Sequence, residues 1–375
     1  MRPALPRDAP LLDDAHPCHH LQQRGDHPYR SYRIRWWLLF LVSAIAGGQG
    51  GIWITYGVLA PAVKPLFPEW NDGTIALLSN WGPIMYLCAA WPTSWVLDVL
   101  GLRVSAIVGS VLIVAGGIAR CAHYQTDGTG SMLAHLGQIL NGLAGPVAMS
   151  ISPVLSAVWF PPHERNAATA IASTTNYGGT AVVFALGSVC VPAGLPEADA
   201  RGRLWRFMLG ELIFSVVLLV LVVCTFPAKP PSAPSRSATV QRASPAEGLK
   251  LLARCPAFWM LACSYAAVSG VFTGWGSLLP DLLQDVPPAS QAEADAGLLG
   301  SLGALAGMVG GVALGHLADR LHASHGRRKA LLLGTCAAGG ALFLAFLLAV
   351  TPSWLPLSWA SAARARRICM FVAAV

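Results

Sequence analysis

Between residues 36 and 350 the sequence is a succession of apolar runs, each close to the ~20 residues that a bilayer-crossing helix needs. They fall near 36–62, 75–97, 103–122, 132–159, 166–191 and 205–226, and, after a polar stretch, near 256–280, 297–318 and 329–350. Hydrophobic residues make up 54% of the 375-residue chain and charged residues only 11%. Soluble domains carry about 25% charge, so this chain cannot cover a water-facing surface. The expected fold class is an all-α membrane protein of about nine spanning helices, grouped as six plus an incomplete second bundle of about three. The 38 glycines and 27 prolines fit this class, because membrane helices tolerate both where close packing or broken segments are needed.

The divisions follow from composition. Residues 1–35 read as a disordered cytoplasmic tail rich in Pro, His and Asp, with no cleavable signal peptide in view. Residues 36–226 form the six-helix bundle, 227–255 a Pro/Ser/Ala-rich mobile linker, and 256–350 the partial second bundle. Residues 351–375 break the pattern; if the architecture is six plus six, three helices are missing, and a truncated isoform or a mispredicted gene end is the expectation there. The net charge of +7 resides in basic residues at the ends of apolar runs, which fits orientation in a membrane better than phosphate binding. Arg30, Arg33, Arg35, Arg103, Arg165 and the Arg327–Lys329 cluster share one side if the spans alternate, so the amino terminus is placed in the cytoplasm. Arg201, Arg203 and Arg206 fall on the other side and run against that rule. The nine cysteines show no metal-ligand spacing, and neither metal nor cofactor is expected; Cys121 and Cys190 read as free thiols rather than a pair.

A short charged loop occurs twice between runs. The first copy is Leu97-Asp98-Val99-Leu100-Gly101-Leu102-Arg103, and the second is Gly315-His316-Leu317-Ala318-Asp319-Arg320 closed by Gly326-Arg327-Arg328-Lys329. An acid at a span's end, a glycine turn and a basic cluster make a latch between neighbouring helices. Its repetition implies two related halves moving against each other. Asp98 with Arg103, Glu164 with Arg165, and Asp319 with Arg327 are the expected gating latches.

These loops, with Trp159-Phe160-Pro161-Pro162-His163-Glu164-Arg165-Asn166-Ala167-Ala168 after the fourth run, resemble the major facilitator superfamily. Ala76-Leu77-Leu78 with Trp81-Gly82-Pro83-Ile84, the block Gly137 to Pro146, Ala168 to Ser173, and Gly270-Val271-Phe272 with Gly274-Trp275 are similar to solute carrier family 49, most closely its member 4 branch. The resemblance implies twelve helices, three more than are seen here. It also implies proton-dependent carriage of pyridoxine across the lysosomal membrane, with choline or haem as the alternative solutes of the family. A lysosomal address in the tail would be Asp8 with Leu11 and Leu12, read by adaptor proteins, although Arg7 replaces an acid of the longer pattern. A truncated, non-transporting membrane protein is the rival from another class.

Candidate solute-binding residues are polar or aromatic groups within spans: Gln49, Trp53 and Tyr56 in the first, Gln138 and Asn141 in the fourth, Trp275 in the seventh. Asn176 and Tyr177 carry the same ambiguity with less weight. Trp53 and Tyr56, three apart, share a helix face and suit a flat ring or a cation; packing within an aromatic belt stays open for them. The amides must be bonded in hydrocarbon, either to solute or between helices. Glu211 lies inside the sixth span and is the candidate proton carrier, with a structural hydrogen bond or a surface position beside Arg206 as the alternatives. His135 is a candidate sensor of an acidic lumen or a plain interfacial histidine. No G-x-S-x-G, Walker or H-E-x-x-H pattern occurs, and no enzyme, ATP-driven pump or nucleic-acid partner is expected.

Overall fold

The computed structural model describes residues 30–122, 128–192, 194–232, 234–235, 245–284, 292–320 and 325–350. The helices are α1 (Ile34–Val58), α2 (Ala60–Val63), α3 (Asp72–Val99), α4 (Gly101–Ala122), α5 (Gly128–Trp159), α6 (Arg165–Cys190), α7 (Glu197–Thr225), α8 (Pro245–Ala253), α9 (Pro256–Gln284), α10 (Ala292–Arg320) and α11 (His325–Val350). Among the described residues nine of these are 22 to 32 residues long, and no strand occurs. The fold is therefore all-α, as the apolar runs require. By length and composition five helices (α1, α4, the α5 stretch from Thr129, α7 and α10 from Leu298) suit a membrane crossing on their own. Helices α3 and α6 are long enough, but their Ser, Thr, Asn and Gly residues lower their hydropathy; α6 buries Asn176 against α1.

Local signals set the helix ends. The first run divides at Leu59, where Pro61 opens the short α2 and a 3-10 turn follows at Lys64–Leu66. Asn71 caps α3, its side chain accepting from the Thr74 amide at 2.9 Å, a common way to satisfy a free helix-end donor. The turn in the first charged loop rests on Gly101, whose φ of +84° favours a residue without Cβ. Helix α7 begins at Glu197, earlier than the apolar run implied, so Arg201, Arg203 and Arg206 are helical. The segment expected to be a mobile linker contains α8. Its Pro245 sits at a favoured first helical position, and Leu249, Leu251 and Leu252 stay exposed.

Two apolar clusters hold the first six long helices together. One, towards the Arg35 end, gathers Leu38, Leu41, Ile45, Ile151, Leu155, Phe160 and Phe226. The other, at the opposite end, gathers Tyr56, Leu59, Phe67, Trp70, Leu78, Leu204 and Met208. Helix α1 runs through both, pressed against α6 by glycines. A Cβ on Gly50 would lie 2.5 Å from the Asn176 carbonyl oxygen, and one on Gly179 would enter the Gly47 carbonyl. Helix α10 packs along α6, with Gly311 against Thr174 and Gly315 against Ala170. By contrast α7 exposes Ile213, Phe214, Val217 and Val220, a surface suited to lipid chains.

Candidate transport site

The middle of α1 is gripped by amides. Gln49 accepts from Asn176 Nδ2 at 3.0 Å and donates to the Asn141 carbonyl at 3.4 Å. Asn141 Nδ2 donates back to the Gln49 carbonyl at 3.2 Å, and Asn176 Nδ2 also reaches the Ala46 carbonyl at 2.8 Å. Gln138 Nε2 donates to the Trp53 carbonyl at 3.2 Å. All four amides are buried, so these bonds join α1 to α5 and α6 and offset the cost of placing polar groups out of water. Gln49, Gln138 and Asn141 are thus engaged between helices. Two acceptors remain: Gln138 Oε1 and Asn141 Oδ1 are buried and have no hydrogen-bond partner among the described residues.

The aromatic pair of α1 does not form a joint platform. Trp53 donates its indole N–H to the Ser79 carbonyl of α3 at 2.6 Å. Tyr56 is fully buried and stands edge-on to Trp70 at 5.7 Å. His135 Nδ1 accepts from Trp81 Nε1 at 2.8 Å, a bond that requires Nδ1 to be without its proton. The Trp275 side chain and the dileucine segment with Asp8, Leu11 and Leu12 lie outside the described residues.

Tyr86 of α3 and Tyr177 of α6 both lie within electrostatic reach of Tyr265 of α9. Tyr265 is 66% exposed and Tyr86 39%, so both rings are accessible. Gly145 connects this surface to the amides: a Cβ there would lie 3.4 Å from the Tyr86 ring and 3.5 Å from Gln49 Nε2. Tyr86 and Tyr265 escaped the sequence reading, although a tyrosine in mid-span is itself an unusual choice.

A buried ion pair joins α4 to α7. Glu211 of α7 receives Arg120 Nη2 of α4 at 2.6 Å on Oε2 and the Thr55 hydroxyl of α1 at 2.7 Å on Oε1. The Arg120 side chain is wholly inaccessible and that of Glu211 is 12% exposed. Gly137 of α5 makes the room, since a Cβ there would run into Arg120 Cγ. Arg206, the neighbour expected for Glu211, donates Nε to the Gly202 carbonyl at 3.2 Å. Arg120, too, escaped the sequence reading.

At the Arg35 end the charged loops take partners of their own. Asp319 of α10 reaches the start of α6, accepting from Asn166 Nδ2 at 2.6 Å and from the Ala167 amide at 2.9 Å. A carboxylate there satisfies a free helix-end donor and meets the positive end of the helix dipole. Glu164 pairs with Arg35 at 3.0 Å, whose guanidinium also lies over the Phe160 ring. Arg165 donates to the Phe160 carbonyl at 3.1 Å and to Ser235 at 2.9 Å. Arg103 donates to the Val223 carbonyl of α7 at 3.0 Å, and Asp98 occupies the last turn of α3. The charged residues therefore stitch distant helices together, with Asp319 joining the two groups.

Residues 35–373 match the family model of the Major Facilitator Superfamily. The chain belongs to the major facilitator superfamily. It is a multi-pass membrane protein accordingly. A solute carrier family 49 member 4 homolog of Xenopus laevis is 34% identical over 307 residues, covering 79% of this chain and 66% of the relative. A choline/ethanolamine transporter of Mus musculus is 30% identical over 287 residues, covering 70% of this chain and 50% of that protein. The superfamily member thus spans about two thirds (66%) of the length of its solute carrier family 49 relatives. Among solved structures, the E. coli fucose:proton symporter superposes with a TM-score of 0.61 at 15% identity, covering 92% of this chain and 82% of that one. A bacterial homolog of the human lysosomal transporter Spinster, inward-facing, gives 0.60 at 19% identity with coverage of 92% and 74%. These likenesses establish the fold.

Proposed function

We propose that the protein is a secondary transporter that moves a small organic solute, pyridoxine in the first instance, across the lysosomal membrane with protons, its amino terminus in the cytoplasm. The observation that carries this reading is the pair of buried acceptors left on Gln138 and Asn141, on the helix whose Gly145 borders the Tyr86 ring, with Tyr265 of the second helix group within electrostatic reach of Tyr86 and Tyr177. Ring faces suit a flat heteroaromatic solute, and spare acceptors suit its hydroxyl donors. Binding that favours one arrangement of the two groups is what alternating access needs. Glu211 is the proposed proton carrier. A proton on its carboxyl group abolishes the charge that holds Arg120, so proton arrival loosens α4 from α7. His135 is the second proposed proton site, since protonating Nδ1 breaks its bond with Trp81. Asp319 on α6, Glu164 on Arg35 and Arg103 on α7 are the proposed gates at the cytoplasmic end.

A second reading, choline or ethanolamine as solute, is favoured by the relative from Mus musculus and by the same phenols, which attract a quaternary ammonium through their π-faces. Uptake of radiolabelled pyridoxine into proteoliposomes holding the 375-residue chain, with an acid exterior, tests the proposal. Saturable, proton-dependent uptake that excess choline leaves unchanged is the expected result. Uptake abolished by choline supports the second reading, and the absence of any saturable uptake of either solute rejects both.

A further inference from the structure

The three arginines that defied the charge rule point to a site of their own. Arg201 is paired with Glu197 at 2.6 Å. Arg203 and Arg206 are exposed, and among the described residues neither forms an ion pair. Both border a cavity of about 980 Å³ bounded by α1, α6, α7 and α10. Their stripe on α7 continues inward through Phe207, Gly210 and Phe214. Val182, Leu186 and Phe214 line the cavity yet are 53%, 50% and 48% exposed, so its open side presents apolar surface at membrane depth. Among the described residues of its wall the one acid is Glu211, which already holds Arg120.

We infer that this cavity binds one anionic phospholipid from the leaflet opposite the Arg35–Glu164 pair, its phosphate on Arg203 and Arg206 and an acyl chain along the apolar wall. Charge complementarity fixes the headgroup: two guanidiniums without carboxylate partners suit a phosphate diester, and arginine binds such oxygens in a fork. Depth fixes the chain. The wall contributed by α6 runs from Thr175 to Cys190, about 22 Å at 1.5 Å per residue. One leaflet's share of a ~30 Å hydrocarbon core is about 15 Å, which leaves several ångströms for a headgroup. Arginines on the non-cytoplasmic side work against correct orientation, and a bound phosphate gives them a reason to be there. The site is independent of the proposed solute and does not require transport.

Native mass spectrometry of the purified full chain with equal amounts of phosphatidylglycerol and phosphatidylcholine tests the inference. The unaltered protein is expected to retain phosphatidylglycerol preferentially. The double variant Arg203→Ala/Arg206→Ala is expected to lose that preference by roughly tenfold or more, whereas Arg201→Ala keeps it. Gly210→Leu fills the slot, where nothing lies within 4 Å of an added Cβ, and is expected to reduce retention of both lipids while the arginines remain. An unchanged preference in the double variant, an equal loss in Arg201→Ala, or full lipid retention in Gly210→Leu would overturn the assignment. Thermal melting of each variant identifies loss of fold, and a lipid-free double variant that melts like the unaltered protein confines the effect to the site.

Discussion

Replacing Arg120 with methionine is expected to cost about 3–5 kcal/mol, the range for stripping one partner from a buried ion pair. Because the Arg120 side chain is inaccessible and that of Glu211 is 12% exposed, water neither screens the pair nor re-solvates the stranded carboxylate. At an effective dielectric of about 20, unit charges ~4 Å apart attract by about 4 kcal/mol, in line with that range. Glu211→Gln should cost at least as much as Arg120→Met, since it strands the inaccessible Arg120 guanidinium, which cannot shed its charge, although the amide oxygen can still accept from Thr55. The double variant Arg120→Met/Glu211→Gln should recover much of the loss, because no uncompensated charge remains. Reversible unfolding in mixed detergent micelles with rising SDS gives all three free energies, and the cycle isolates their coupling. A coupling energy of about 2 kcal/mol or more is expected. Additivity within ~0.5 kcal/mol, the behaviour of independent sites, would refute the buried pair as the tie between α4 and α7.

Asp319→Ala removes the acceptor at the start of α6 and should cost about 1 kcal/mol, as loss of a helix cap does; a cysteine placed at Ala170, beside Gly315, should then react faster with a membrane-impermeant maleimide, and an unchanged rate would deny Asp319 a gating role. Gly50→Leu should abolish a monodisperse peak in size-exclusion chromatography, because its Cβ alone would lie 2.5 Å from the Asn176 carbonyl oxygen. In initial-rate uptake, Tyr265→Phe should leave KM nearly unchanged and Tyr265→Ala should raise it roughly fivefold or more if ring faces hold the solute; equal effects would shift the interaction to the hydroxyl.

The span layout was legible because hydropathy over twenty residues is a property of a local window. Its errors came from local chemistry that such averaging hides: Pro61 divides the first run, α7 starts among charged residues, and Pro245 initiates α8 within the expected linker. That Glu211 needs a partner was readable from its position inside a span, but the partner itself was not. Arg120 stands 91 residues away on a helix whose rotation no one-dimensional pattern fixes. The amides of Gln49, Gln138 and Asn141 were recognised as requiring partners, while only the packed helices reveal that those partners are backbone carbonyls. Trp53 and Tyr56 share a face by spacing, yet neighbours from α3 and the segment before it draw the two rings apart.

The contact between α6 and α10 spans nearly the whole depth of the molecule, from Phe184 against Gly300 to Asn166 and Ala167 against Gly315. Glycines there face Phe184, Met308, Thr174 and Ala170 so closely that the two helices cannot slide past one another by much. The seam therefore behaves like the spine of a book: the covers can swing about it, and the pages part at the far edge.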